Sequence, residues 1–167
     1  MLVKKGRIMN RSTKILLTIS LIALAMVSAL TYLNLSTAPN SSAKSQANEI
    51  AKEKAGIVQP DYFGNYTREK QYYAVGGLTK NDKYRYIIID AKSGKTDTFN
   101  KNNAPVRQTI IDGVAQRYGA KKILHINLGI YKKKPTWEVT FQKSNGKIGY
   151  NLVDFKTGKS IQIINNI

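Results

Sequence analysis

The chain has 167 residues, with 27 Lys and Arg against 10 Asp and Glu, and a formal net charge of +17. It contains no cysteine, which excludes disulfide frameworks, thiolate zinc sites and cysteine nucleophiles. Such a basic chain predicts an anionic neighbour, which could be nucleic acid, acidic lipid or an anionic wall polymer. A surface that only keeps the protein in solution is the alternative.

The N-terminal region has the pattern of a membrane anchor. Residues 1–14 form a basic tail with five Lys or Arg, and residues 15–35 carry no charge. At about 1.5 Å per residue in a helix, the second segment spans the roughly 30 Å of a bilayer core. The positive-inside rule predicts a cytoplasmic tail, a single-pass transmembrane helix over 15–35 (a signal anchor) and a linker over 36–40, with everything beyond it extracytoplasmic at the cell membrane. A cleaved signal peptide is the alternative, because Val27-Ser28-Ala29 is an acceptable cleavage site.

The rest of the chain contains an internal repeat. The segment DAKSGK at 90–95 recurs as DFKTGK at 154–159, an offset of 64 residues. The same offset, without a gap, aligns 83–90 with 147–154, 71–78 with 135–142 and 47–56 with 111–120. The sequence therefore predicts two copies of one unit, a first domain over 41–101 and a second domain over 102–167.

Each copy has the pattern of one helix followed by four strands. In the second copy, an apolar stripe with a spacing of four residues precedes Gly119 and predicts a helix; its members are Val106, Ile110, Val114 and Tyr118. Alternation then predicts two strands. Their inward faces are formed by Leu124, Ile126, Leu128 and Ile130, and by Trp137, Val139 and Phe141. Trp137 is the predicted core anchor. The fold class is α+β, with each helix packed on a four-stranded antiparallel sheet, and the small copies are expected to pack on each other.

Two turns use the same residue types. Asp90 and Asp154 each open a turn in which a carboxylate can accept backbone N–H groups. Gly94 and Gly158 follow four residues later and can adopt a positive φ. We interpret all four as structural turn residues and not as metal ligands.

The sequence favours a protein that is not an enzyme. His125 is the only histidine, and a general base needs an orienting partner and a nucleophile within reach. The surrounding sequence supplies neither, so we interpret it as a surface or inter-domain residue. We predict no catalytic residue, no metal site and no cofactor.

The densest basic cluster is the candidate contact surface. It consists of three consecutive lysines and three others in the second copy, namely Lys132, Lys133, Lys134, Lys121, Lys122 and Lys143. Such a surface could hold an anionic polymer through weak, salt-sensitive contacts. A solvated turn is the alternative interpretation.

Three segments carry a resemblance to a known family. They are QYYAVGG at 71–77, WEVTF at 137–141 and YNLVDFKTGK at 150–159. With the order of one transmembrane helix and two helix–sheet units, the chain resembles the cell wall elongation regulator family called TseB-like or YpmB-like. The last two segments are also similar to the wider PepSY-like group. The resemblance implies two tandem cystatin-like (PepSY-like) domains, no catalytic residues, and a partner among the membrane-bound penicillin-binding proteins of Gram-positive bacteria.

The expected function follows from the anchor and the duplicated domains. We expect a non-catalytic, membrane-anchored extracytoplasmic adaptor or regulator of cell wall synthesis, bound to a penicillin-binding protein at the outer membrane face. One alternative is a PepSY-like inhibitor or chaperone of an extracytoplasmic protease. Another is a module that binds anionic wall polymer or DNA, with nucleic acid the less favoured partner.

Overall fold

The computed structural model describes residues 20–26, 41–100 and 107–165. Residues 20–26 are helical and belong to the predicted segment 15–35, whose other residues lie outside the described part. The predicted domain boundary between 101 and 102 also lies outside it. Among the helices that are described, none combines the length and the apolar character needed to cross a membrane.

Two helices and two antiparallel sheets make up the described chain after residue 40. Helix α1 covers 41–55, and the first sheet follows in the order β1 (Ile57–Thr67), β2 (Gln71–Thr79), β3 (Tyr84–Asp90) and β4 (Thr96–Asn100). Helix α2 (Arg107–Tyr118) precedes the second sheet, in the order β5 (Ala120–Tyr131), β6 (Lys134–Lys143), β7 (Ile148–Asp154) and β8 (Ser160–Ile164). The α+β class and the two four-stranded antiparallel sheets are thereby confirmed.

The two halves correspond at two different offsets. Strands β3 and β4 recur as β7 and β8 at an offset of 64 residues. In the helices, however, buried Ala47 and Ala51 correspond to buried Ile110 and Val114, at an offset of 63. The first strands share this shorter offset, because β5 and β6 with their turn (120–143) contain one residue more than β1 and β2 with theirs (57–79). The ungapped alignment is therefore wrong by one residue for the helix and the first strand.

Both first strands contain two register shifts at corresponding places. In β1 they lie between Ile57 and Gln59 and between Pro60 and Tyr62. In β5 they lie between Ala120 and Lys122 and between Ile123 and His125. A bulge moves the side-chain alternation by one residue. As a result Ile123, and not the predicted Leu124, is among the residues that pack against the core.

The first sheet is covered on both faces. Helix α1 packs on one face through alanines four residues apart, which contact Val75, Ile87 and Ile89. The opposite face, with Tyr62, Ala74, Tyr86 and Ile88, belongs to the same cluster as residues of the second half. The expectation that the halves pack on each other is therefore correct.

Aromatic rings dominate this contact between the halves. Tyr86 lies 5.5 Å from Trp137 and 5.7 Å from Phe155 between ring centroids, both with edge-on geometry. Tyr62 contacts Trp137 in the same way at 5.5 Å. Trp137 and Phe155 are both 0% exposed. Edge-on pairs of this kind add roughly 0.5–1.5 kcal/mol each beyond area burial, so we expect the two halves to unfold together.

Candidate functional site

Tyr62 joins the edge of the second sheet to the first sheet. Its phenol oxygen accepts a hydrogen bond from the N–H of Leu128 at 2.9 Å and donates one to the carbonyl of Ile126 at 3.2 Å. Both backbone groups belong to β5, an edge strand of its sheet. Tyr62 therefore satisfies backbone groups that an edge strand would otherwise leave unpaired.

The environment of Tyr62 favours the neutral phenol. Burial raises the pKa of Tyr62 well above its ordinary value, and the opposing effects of the Leu128 hydrogen bond and the Arg107 charge are smaller. The guanidinium of Arg107 lies 4.9 Å from the centre of the Tyr62 ring. The phenol therefore remains a hydrogen-bond donor to Ile126 throughout the physiological pH range.

An ion pair makes a second connection between the halves. Nε of Arg68, in the turn after β1, donates to Oε2 of Glu138 in β6 at 2.9 Å. The two side chains are only 26% and 16% exposed, so the pair is less screened than a surface pair. This pair and Tyr62 are therefore two polar connections between the halves.

The four predicted turn residues have equivalent geometry in the two halves. Oδ1 of Asp90 accepts the N–H groups of Lys92 and Ser93, and Oδ1 of Asp154 accepts those of Lys156 and Thr157, at 2.8–3.1 Å. Gly94 and Gly158 have φ values of 69° and 68°. The backbone hydrogen bond from Ser93 lowers the pKa of Asp90. Burial acts to raise the pKa of Asp154, but the hydrogen bonds from Thr157 and Lys156 lower it overall.

The six predicted contact lysines do not form one surface. Lys121 and Lys122 begin β5 beside Lys143, at the end where Ala120 pairs with Lys143. Lys132, Lys133 and Lys134 lie at the opposite end of the same strand pair, where Tyr131 pairs with Lys134. Ten residues of extended strand place the two groups about 30 Å apart. Any single ligand site therefore uses one group or the other.

The turn at Lys132 and Lys133 has an unusual backbone. Both residues have positive φ, at 47° and 65°, where two-residue hairpin turns normally use Asn-Gly. The N–H of Lys132 donates to Oε2 of Glu69 in the first half at 3.3 Å, and its ammonium lies 5.3 Å from the ring centre of Tyr131. This hairpin therefore lies against the β1–β2 turn.

Sequence reasoning missed a lysine-lined hollow beside the Asp90 turn. The hollow has a volume of about 820 Å³, and its walls include Lys70, Lys92 and Lys95. The sequence shows these lysines, but their spacing of 22 and 25 residues gives no local signal that they share a cavity. The pairing of β2 with β3, which places Tyr72 opposite Asp90, brings them together.

His125 and the acidic residues offer no metal centre in the described ranges. His125 is exposed on β5, opposite Thr140. Over residues 20–26, 41–100 and 107–165, no group of three or more His, Asp or Glu is placed to hold a metal ion.

Comparisons with known proteins identify one family and two similar structures. The family described as "Cell wall elongation regulator TseB-like domain" matches residues 46–90. The structure of the YpmB protein from Bacillus subtilis has a TM-score of 0.60 and 22% identity, covering 72% of this chain and 95% of that one. A lipoprotein candidate from Clostridium difficile 630 has a TM-score of 0.40 and 15% identity, covering 74% and 92%. No curated protein sequence matches the chain.

The family match and the likeness to YpmB differ in how much of the chain they cover. The match covers α1 from residue 46 through the end of β3, and the likeness to YpmB concerns the fold of most of the described chain. The resemblance found in the sequence is thereby confirmed: residues 46–90 match the TseB-like domain family, and the fold is similar to that of YpmB.

Proposed function

We propose that this protein is a non-catalytic, membrane-anchored extracytoplasmic regulator of cell wall synthesis, and that it binds a penicillin-binding protein at the outer membrane face. The observation that carries the proposal is the match of residues 46–90 to a cell wall elongation regulator domain. The regulatory, wall-related role follows from that description. The membrane anchor and the penicillin-binding protein as partner are separate proposals, and each is tested by its own experiment.

The repeated fold supports two tandem cystatin-like domains, 41–101 and 102–167. Each half has a helix followed by an antiparallel sheet in simple sequential order. The turn hydrogen bonds also recur: the N–H of Asp90 donates to Lys95, and that of Asp154 to Lys159, both at 2.9 Å. Such a scaffold presents sheet edges, hairpins and turns to a partner.

The use of acidic groups supports a non-catalytic role. Asp90 and Asp154 are engaged by the backbone of their own turns, and Glu138 is paired with Arg68. These carboxylates stabilise the fold, and the family to which residues 46–90 belong is one of regulators.

The anchor is proposed from residues 15–35. Within them the described helical segment 20–26 exposes large apolar side chains, namely Leu21, Ile22, Leu24 and Met26, at 54–69%. We expect the full chain to stay with membranes after an alkaline carbonate wash and to be released by detergent, because an apolar helix in the bilayer is not held by charge. Release by carbonate, with a mature N-terminus after Ala29, would support signal cleavage instead.

The outer edge of β8 is the proposed docking strand. Strand β8 is an edge of its sheet, and its Ile161 and Ile163 are 44% and 37% exposed. Strand β4, the corresponding edge of the first sheet, has Asp97 where β8 has Ile161. Since exposed apolar edges favour addition of a partner strand and charged edges oppose it, β8 is the better candidate.

Site-specific crosslinking in native membranes tests the partner. A photoreactive amino acid at Gln162, exposed in β8, is compared with one at Gln116, exposed on helix α2, as the matched control. We expect a membrane-bound penicillin-binding protein to be captured from position 162 and not from position 116.

Two outcomes would contradict the proposal. If no wall-synthesis protein is captured from position 162, the proposed partner is wrong. Capture of an extracytoplasmic protease, together with its inhibition at equimolar concentration by the purified protein, would favour the PepSY-like inhibitor instead.

A further inference from the structure

The hollow beside the Asp90 turn continues into a groove between the two halves. The hollow has walls from Lys70, Lys92 and Lys95, and a second cavity of about 270 Å³ is bordered by Lys95 and by Lys133 of the second half. Asp90 borders both cavities, so they adjoin. Four lysines from three separate turns therefore border these two cavities, which together are called the channel below.

The residue that follows the turn aspartate differs between the two halves. The residue after Asp154 is Phe155, which is fully buried against Tyr86 and Trp137. The corresponding residue after Asp90 is Ala91, which is exposed and lines the hollow. The second half has equivalent lysines, namely Lys134, Lys156 and Lys159, but there an aromatic ring occupies the core beside the turn.

The hairpin turn at the channel places two lysines in an unfavourable backbone conformation. Lys132 and Lys133 both have positive φ, a conformation that costs an ordinary L-residue roughly 1–2 kcal/mol. Strain of this kind concentrates at functional sites. Lys133 of this hairpin borders the second cavity.

We infer that the channel lined by Lys70, Lys92, Lys95 and Lys133 binds a linear polymer of phosphate groups, such as a polyol-phosphate chain of the wall. The lining cations are all lysines, and lysine binds phosphate as a point charge without the fixed geometry of a bidentate arginine contact. Two adjoining open cavities suit a chain better than a single small anion. Asp90 and Asp97 also border the channel, so binding is moderate and sensitive to salt.

The choice of a wall polymer rests on the proposed function, because only an extracytoplasmic protein meets such a polymer. The probe is a short fluorescein-labelled oligo(glycerol phosphate), titrated with the full-length protein in nanodiscs of phosphatidylcholine. Anisotropy measures the dissociation constant. We expect the double variant K92A/K95A to bind about five- to tenfold more weakly, as the loss of two partly screened charge contacts implies.

Two further variants distinguish binding in the channel from binding by the overall positive charge of the protein. K156A/K159A removes the same charge from the equivalent turn of the second half, and we expect its affinity to change less than about twofold. Ala91→Phe copies the second half and narrows the hollow without changing charge, so it should also weaken binding. Circular dichroism confirms that each variant is folded.

Three results would overturn the inference. Equal weakening by K92A/K95A and K156A/K159A would show binding by charge alone, and wild-type affinity in Ala91→Phe would show that the hollow is not used. If a poly-glutamate of matched charge binds as tightly as the oligo(glycerol phosphate), the channel binds acidic chains in general and does not select phosphate.

A last comparison distinguishes a polymer from a lipid surface. The protein could bind phosphatidylglycerol vesicles more tightly than the oligomer, with the same dependence on Lys92 and Lys95. That result would show that the channel binds anionic lipid headgroups, and it would overturn the proposed polymer. The crosslinking at Gln162 reports on the protein partner alone, so failure of that experiment and failure of this one are distinguishable.

Discussion

The phenol oxygen of Tyr62 lies 2.9 Å from the backbone nitrogen of Leu128, 66 residues away in the other half of the protein. Tyr62 is 8% exposed and Leu128 is fully buried. This contact lies beside the Trp137 and Tyr86 rings, so it contributes to the alignment of the two sheets as well as to stability.

Replacing Tyr62 by Phe should destabilise the protein by about 1–3 kcal/mol, because it leaves a buried N–H of Leu128 without an acceptor. Urea denaturation followed by tryptophan fluorescence measures the change, since Trp137 contacts Tyr62. Tyr73→Phe is the matched control: its hydroxyl accepts only an exposed hydrogen bond from Gln71 and should cost less than about 0.5 kcal/mol. Equal costs would contradict the assigned role of Tyr62.

The Arg68–Glu138 pair should show measurable coupling. A double-mutant cycle with Arg68→Gln and Glu138→Gln is expected to give about 0.5–2 kcal/mol, because both side chains are largely buried. The pair Lys54–Glu53, whose side chains are 56% and 69% exposed, serves as the control and should couple by less than about 0.5 kcal/mol. A coupling near zero for the first pair would mean that it does not hold the halves together.

Substituting the strained turn should stabilise the protein. The double variant Lys132→Asn and Lys133→Gly restores the residue types that this turn prefers and should raise the free energy of unfolding by about 1–2 kcal/mol. Lys134→Asn, one residue later in β6, removes one charge without relieving backbone strain and should not stabilise. A less stable double variant would show that these lysines are not strained.

The same double variant should bind oligo(glycerol phosphate) more weakly, because it removes Lys133 from the channel. Stability and binding would then change in opposite directions, as is common where strain is retained for function. If the double variant is more stable but binds the oligomer with unchanged affinity, the strained turn does not contribute to binding in the channel.

The stability of the protein should fall at alkaline pH. Burial raises the pKa of Tyr62 in the folded state, while in the unfolded chain it titrates near about 10. The favourable contribution of the neutral phenol is therefore fully present below that pH and is lost as pH rises above it. Free energies of unfolding between pH 8 and pH 11 should fall less steeply in Tyr62→Phe than in the wild type.

Tyr86 contributes to the same pH dependence, because burial raises its pKa as well. Some alkaline destabilisation should thus persist in Tyr62→Phe. Parallel curves for wild type and variant would show that Tyr62 does not contribute to it.

Much of the fold could be predicted because its signals are local. Period-four apolar spacing identified α2, alternation identified the strands, and the Asp-to-Gly turns located the ends of β3 and β7. The repeat was found from matching letters, but its offset was wrong by one for the helix and first strand. The second hairpin is one residue longer than the first, and no motif marks where the extra residue lies.

The amino-acid sequence by itself determined the kind and order of the elements, since each depends on residues only a few positions apart. The tertiary structure decided which surfaces exist: it separated Lys121 from Lys132, joined Lys95 to Lys133 across one groove, and placed Tyr62 on the edge of β5. These relationships join residues tens of positions apart, and they depend on how two sheets pack through Trp137 and Phe155. No periodicity along the chain encodes that packing, because it is selected by the fit of aromatic rings from both halves.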